Sequence, residues 1–330
     1  LLTGQEMISN LLKMQQAVDV DDQLASEAAT TAIVKQVSVD TADSRPSWMR
    51  QLEVSAHTWK ALLPKPLRLL DRTAENITDP LFRCFEREIN SGAVLLTVVR
   101  EDLENVKKVC AGSMKPTNYH RELMSDLAKG LIPQSWRQYT VPSGLTVIQW
   151  ITDFVARVGQ LMEVSQAVAA GGTPALRGLK IWLGGLFMPE AYITATRQAV
   201  AQSHSWALEE LSLSVELVPG KKDVPTPSDN CSFVVCGLRL MGAEPMDSKT
   251  IRLSSSIVCE MPCTILRWIR IVKDKQQAGE SPAEGESGVQ LPVYLNASRT
   301  VLLFTLTLQT KEAGSDFYKR GVAILSSQLG

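Results

Sequence analysis

The hydrophobic period of this sequence changes near residue 210, and that change limits the fold more than any other feature. Before it, apolar residues recur at three- and four-residue steps, the spacing of one helix face. After it, Leu211, Leu213, Val215 and Leu217 alternate with Ser212, Ser214 and Glu216, the spacing of a half-buried strand. Helices grouped before strands argue for an α+β fold. A chain of 330 residues is long enough for two such sections. The expectation is a helical subdomain over 46–210, then a small antiparallel β-barrel or sandwich of about six strands over 211–330.

Helix signals are dense in the first half. Thr3 and Glu6 form a capping box before Met7, Ile8, Leu11, Leu12 and Met14, which predicts a short helix within 1–18. The pattern then dissolves into a polar, acidic stretch over 19–45 (Asp19, Asp21, Asp22, Glu27), read as a disordered linker. Ser47 is read as an N-cap for a helix carrying Met49, Leu52, Ala56, Trp59 and Leu63, and Pro64 and Pro66 as its stop and the start of another. The strongest signal spans 80–111. Asp79 caps it, Pro80 opens it, and a stripe from Leu81 to Cys110 runs along it to Gly112. The face opposite that stripe carries Arg83, Glu86, Arg87, Glu101, Glu104, Lys107 and Lys108. Further helices are predicted over 118–129, 145–169 and from Pro189 to about 204.

In the second half, strands are predicted at 250–258, 263–272, 289–295, 300–309 and 320–326. Phe233 and Val235 alternate, then Leu238 and Leu240 continue with reversed parity, which predicts a β-bulge at Gly237. Segment 273–288 reads as a disordered polar excursion.

Composition removes several classes. The 34 Lys+Arg balance 35 Asp+Glu, without the basic excess of a nucleic-acid binder. No apolar run is long enough to span a bilayer. A sequence that begins with Leu1, with no basic-then-apolar leader, reads as a piece excised from something larger, kept in a reducing compartment.

Chemical motifs are few. Gly184-Gly185 ahead of Pro189 can present backbone N–H groups to an anion, and a turn that needs glycine explains the pair equally well. Cys231-x4-Cys236 and Cys259-x3-Cys263 are loosely like a zinc ribbon, but an odd separation on one strand points the first two sulfurs to opposite faces. His57, His120 and His204 lack a nucleophile-elbow setting. Trp48 and Trp59, three helical turns apart, can share a face and anchor a partner, or serve the core. No catalytic, cofactor-binding or metal-ligating residue is assigned.

Longer runs carry a resemblance. Leu131-Ile-Pro-Gln-Ser-Trp136, Tyr139-Thr-Val-Pro142, Trp182-Leu-Gly184-Gly-Leu-Phe187-Met-Pro189-Glu-Ala-Tyr192-Ile-Thr194, Gly237-Leu-Arg-Leu-Met-Gly-Ala243, Leu291-Pro-Val-Tyr-Leu-Asn296 and Gly321-Val-Ala-Ile-Leu325 together resemble the C-terminal domain of dynein heavy chains. Glu190, Asp79–Glu88 and Leu266-Arg-Trp268 are similar to the cytoplasmic type 1 branch, and residues 1–18 to the last helix of the sixth AAA+ module. The resemblance implies a domain packed on the AAA+ ring of a minus-end-directed microtubule motor, in cytoplasm and cytoskeleton. It also implies that ATP and Mg are bound upstream, with no cofactor here. The implied partners are the ring modules of the same heavy chain. The parent binds microtubules and other dynein subunits, and the fragment is expected to be a monomer without nucleic-acid or membrane contacts. In that setting the helix over 47–63 is a strut, with Arg50, Glu53, Lys60, Lys65 and Arg68 nearer the ring. A stand-alone interaction scaffold and a cryptic hydrolase are the other readings.

Overall fold

The computed structural model describes residues 45–141, 144–218, 229–261, 263–271 and 287–326. The Thr3/Glu6 capping box, the helix within 1–18, the linker 19–45 up to its last residue and nearly all of the excursion 273–288 lie outside the described residues.

Helix α1 spans Ser47–Leu62 and buries Leu52 and Ala56, with Met49 and Trp59 partly covered. Ser47 is not its cap. Pro46 takes that position and its carbonyl accepts the Met49 N–H at 3.0 Å, so the Ser47 hydroxyl makes no cap bond. Nor does a second helix follow Pro64 and Pro66. Leu63 and Lys65 each precede a proline, which drives a residue out of the helical region. The backbone leaves extended instead, held by Arg100 bonding to the Pro64 carbonyl and by Ser165 Oγ donating to the Arg68 carbonyl.

Helix α2 (Pro80–Cys110) is the spine, about 46 Å long at the standard rise. Asp79 Oδ1 accepts the Leu81 and Phe82 N–H groups at 2.8 and 3.2 Å, and Gly112 follows at φ +75°. Its apolar stripe is buried as expected, with Ala93 partly covered. One member of the expected charged face is not in water: Glu86 is buried under Arg72, which bonds it from the extended segment. Helices α3 (Asn118–Ala128) and α4 (Val147–Gly171) start at capping boxes built by Thr117 with His120 and by Thr146 with Gln149. Helix α5 is Pro189–His204.

Nine strands are present among the described residues, in two mixed sheets, where about six antiparallel strands were expected. One sheet has the order β1 (Lys180–Trp182), β3 (Ser232–Cys236), β6 (Thr264–Arg270), β2 (Leu211–Leu217). The other has β5 (Ile251–Met261), β4 (Leu238–Pro245), β9 (Ala323–Leu325), β7 (Ser287–Tyr294), β8 (Leu302–Thr310). The β1–β3 and β7–β9 pairs are parallel and the rest antiparallel. A single bridge, Thr250 to Gln309, links the edges of the five-stranded sheet without closing it, so the sandwich alternative holds and the barrel does not. A short helix, α6 (Gly314–Lys319), occupies a stretch too brief to show periodicity.

The parity reversal at Gly237 has another cause than a bulge. Gly237 (φ +75°) lies between β3 and β4, where the backbone leaves one sheet for the other. The bulge itself falls between Met241 and Ala243, at Gly242 (φ +74°). Strand β1 comes from the helical half yet pairs with β3. One continuous core joins both halves, from Leu52 to Ile324.

A Cβ at Gly237 would sit 2.3 Å from the Trp182 ring, on a backbone that strains any L side chain. Gly237→Ala is expected to cost about 2–4 kcal/mol, summing left-handed strain and overpacking. Gly130→Ala, at φ +72° with open space around it, should cost only about 1–2 kcal/mol. Equal denaturation midpoints for the two variants would contradict the packing argument.

Candidate functional site

The five residues expected near a ring do not form one cluster. Arg50, Lys65 and Arg68 are exposed, with Arg68 3.5 Å from Asp71. Glu53 and Lys60 turn toward the domain. Glu53 accepts from Arg45 at 2.9 Å, and Arg45 also donates to the Cys110 carbonyl at 2.7 Å. Lys60 donates to Glu104 at 2.5 Å, and that bond holds the Glu104 carboxyl below its ordinary range. Lys60, Arg100, Glu104 and Lys108 line a charged groove of about 310 Å³ between α1 and α2. Helix α1 is thus tied to α2 at both ends by charged bonds; Arg50 is exposed on it, and Lys65 and Arg68 are exposed on the extended segment that follows.

The Gly184-Gly185 turn is shaped by packing. A Cβ at Gly184 would meet the Ser326 carbonyl at 1.9 Å, and one at Gly185 would meet the Trp182 ring at 2.3 Å. The backbone amides ahead of α5 do hold an anion, but it is one of the protein's own side chains. Pro189 has no N–H, so the free donors are Met188 and Phe187, and they bond the two oxygens of Glu88 at 2.8 and 2.7 Å. Burial raises the Glu88 carboxyl above the ordinary range, opposed by those two amides and by Arg157.

Next to it lies a buried ion pair. Arg157 donates to Asp153 at 2.7 Å and to the Leu186 carbonyl at 3.1 Å, while Tyr139 Oη donates to the same Asp153 oxygen at 3.1 Å. The guanidinium lies 4.2 Å from the Tyr139 ring centroid. Trp136, Trp150 and Phe154 stack in series at 5.1 Å steps beside it. A third carboxylate, Asp102, accepts from Trp136 Nε1 at 2.8 Å and from Tyr119 Oη. Glu88, Asp102, Asp153 and Arg157 were absent from the candidate residues. Their signal is faint but present: each is a charged residue flanked by apolar ones within a helical stripe.

The cysteines and histidines follow local geometry. All six cysteines are free thiols. Burial pushes Cys84 up to about 12 and Cys236 to about 11, the behaviour of inert packing thiols. His57 is exposed on α1, and His120 belongs to the α3 capping box. His204 Nε2 lies 3.7 Å from Cys231 Sγ, a pair the sequence did not suggest. The Cys231 thiol is raised by burial and then by Asp229, the opposite of the shift that activates a thiol. Among the described residues no group of three His, Cys, Asp or Glu side chains converges as a metal site would require, and no helix is long and apolar enough to cross a membrane.

These arrangements define an α+β domain whose buried polar groups are structural ties and whose distinctive surface is a helical face. The family formed by the C-terminal domain of dynein heavy chains matches residues 2–326. The sequence is 48% identical over 326 residues to a cytoplasmic dynein heavy chain of Drosophila melanogaster and 36% identical over 324 residues to that of Caenorhabditis elegans. Each alignment covers 98% of this protein but only 7% and 6% of the relative. A cytoplasmic dynein heavy chain of Dictyostelium discoideum is 39% identical over 282 residues, 84% of this protein and 6% of the relative. The protein belongs to the family of C-terminal domains of dynein heavy chains.

Replacing Glu88 by Ala takes away the acceptor of the Phe187 and Met188 amides and is expected to cost about 2–5 kcal/mol. Glu88→Gln separates charge from hydrogen bonding. Because the folded-state value is raised, the folded protein holds the proton more tightly. Its contribution is complete below the unfolded value and is lost as pH rises through the folded one. Wild type should therefore lose stability across that window relative to Glu88→Gln in urea titrations. A difference that does not change with pH would refute the assignment.

Proposed function

We propose that this protein is the non-catalytic regulatory end of a dynein heavy chain, capping the AAA+ ring and tuning the processivity and force of an ATP-driven, minus-end-directed microtubule motor. ATP and Mg belong to upstream modules, and no cofactor is bound by this piece. The partners are ring modules of the same heavy chain. Microtubules and other dynein subunits are partners of the parent, which works in the cytoplasm on the cytoskeleton. The family membership supports the setting, as do the relatives, which are cytoplasmic dynein heavy chains.

The observation that carries the regulatory reading is the mounting of α1. Its inner face is buried on α2, charged bonds pin its two ends, and Arg50, Lys65 and Arg68 remain exposed. A helix fixed this firmly to a one-core domain transmits displacement and does not absorb it. Bridging two ring modules with such a strut raises the free energy of rotating one against the other, which couples their nucleotide states. A stand-alone interaction scaffold is the second reading, favoured by a Trp48 side chain left 47% exposed. Single-motor run length and stall force, with and without residues 45–330, discriminate the two. Both should change when the domain is removed, and unchanged values would end the regulatory reading. Charge reversal at Arg50, Lys65 and Arg68 together should reproduce part of the effect while leaving the thermal midpoint within about 2 °C of wild type, as expected of exposed substitutions.

A further inference from the structure

Spacing along the sequence groups Cys231 with Cys236 and Cys259 with Cys263, but the sheet groups them otherwise. Strands β3 and β6 are antiparallel, with Phe233 opposite Leu266, Val234 opposite Ile265 and Val235 opposite Thr264. One step further in the same register, Cys236 stands opposite Cys263. Residues directly opposite one another share a face of the sheet, so the two thiols lie on the same side.

The ladder hydrogen bonds fix which kind of pair this is. The Trp268 N–H donates to the Cys231 carbonyl at 3.0 Å, which makes that pair a bonded one, and bonded pairs recur at every second position. Cys236 is an odd number of steps from Cys231, so its pair with Cys263 is of the non-bonded kind. The far side of β6 agrees: the Cys263 carbonyl accepts from the Val218 N–H at 3.1 Å, so it points away from β3. A non-bonded antiparallel pair brings its Cα atoms to about 4.5 Å, within the range that a disulfide spans. Both residues are free thiols.

The two differ in access. Cys263 is 1% exposed, whereas Cys236 is half-buried and lines a cavity of about 420 Å³ with Lys180, Gly237 and Met261. Burial raises the Cys236 thiol to about 11, opposed by Lys180 and assisted by nearby Cys263 and Glu163. Cys236 is therefore slow to capture an oxidant, like any packing thiol. Once it has done so, Cys263 is already in place beside it, and an intramolecular step of this kind is fast.

We infer that Cys236 and Cys263 form a cross-strand modification site, which closes to a disulfide on exposure to a low-molecular-weight disulfide and clasps the base of the β4–β5 hairpin. The Cys236 thiolate attacks one sulfur of the reagent. The reagent S–S bond breaks, and the departing thiolate takes up the proton that Cys236 released. Cys263, deprotonated in turn, attacks Cys236 Sγ and expels the second reagent thiolate, which is protonated likewise. The protein gives up two electrons and two protons, and the reagent leaves as two thiols. The backbone leaves the first sheet after Cys236 and re-enters it after Cys263, so the new bond joins both ends of the β4–β5 excursion. In a reducing compartment the pair rests as thiols and its closure is transient.

Oxidised glutathione is the probe, applied to the 330-residue protein and read by non-reducing peptide mass spectrometry after acid quenching and alkylation. Wild type should yield the Cys236–Cys263 linked peptide, with little glutathione retained on Cys236. Cys263→Ser should trap the mixed disulfide on Cys236 at about tenfold or more above wild type, since the resolving thiol is gone. Cys236→Ser should leave Cys263 unmodified. Glutathione retained on wild-type Cys236 at the level of Cys263→Ser would overturn the assignment, as would linkage of Cys236 to any other cysteine. So would a native protein without the linked peptide when the same protein in urea is modified at both positions. The wild-type measurement decides the matter by itself if either variant fails to fold.

Discussion

The contact between Glu88 and the amides of Phe187 and Met188 is the joint on which the arrangement of this domain depends. A carboxylate in a helix interior loses its water, and only strong donors offset that loss. Here the donors are the two amides at the positive end of α5, so the bond also complements the helix dipole. It fixes the start of α5 against the first third of α2. Everything further along α5 then falls into place: Tyr192 lies 5.6 Å from Phe85, and Thr196 accepts from Trp268 of strand β6 at 3.1 Å. Spine, crossing helix and first sheet are registered in series from one carboxylate.

The Arg157 site serves the same junction from the other side. Its bond to the Leu186 carbonyl and its pairing with Asp153 join α4 to the turn that precedes α5. A buried pair of this kind contributes little compared with an apolar replacement, but deleting one partner costs about 3–5 kcal/mol. Its value lies in specificity, since guanidinium geometry accepts one docking of the turn and the stacked Trp136, Trp150 and Phe154 fill the space around it.

Local rules made much of this legible. Asp79, Pro80 and Gly112 delimit α2 because capping chemistry is contained within a few residues. The strand at 211–217 is readable because its alternation is complete. What was not legible depends on tertiary context. At Gly237, a change of sheet and a bulge give the same parity reversal, and only the partners of β3 and β4 tell them apart. The three-residue strand β1 is too short to show a period. Ser47 has the chemistry of a cap but stands one position too late. Among the candidate surface residues, nothing in the local pattern separates Lys60, drawn inward by Glu104, from exposed Lys65. The buried charges were hidden for a related reason. A charged residue within an apolar stripe becomes informative once its partner is known, and those partners lie about 100 positions away for Glu88 and 34 for Asp102.

Strand β1 carries a consequence for how this domain bears load. It is only three residues long, yet it is paired in parallel with β3, and Gln160 of α4 bonds both its carbonyl and amide sides at Trp182. A pull applied to the sandwich therefore reaches the helical half as shear across a hydrogen-bonded ladder, not as peeling at a loop. Ladders loaded along their length share tension among several bonds at once. The helical and β sections should yield together under force, and a cut at the change of periodicity would leave β1 and β3 on separate pieces, each without its partner strand.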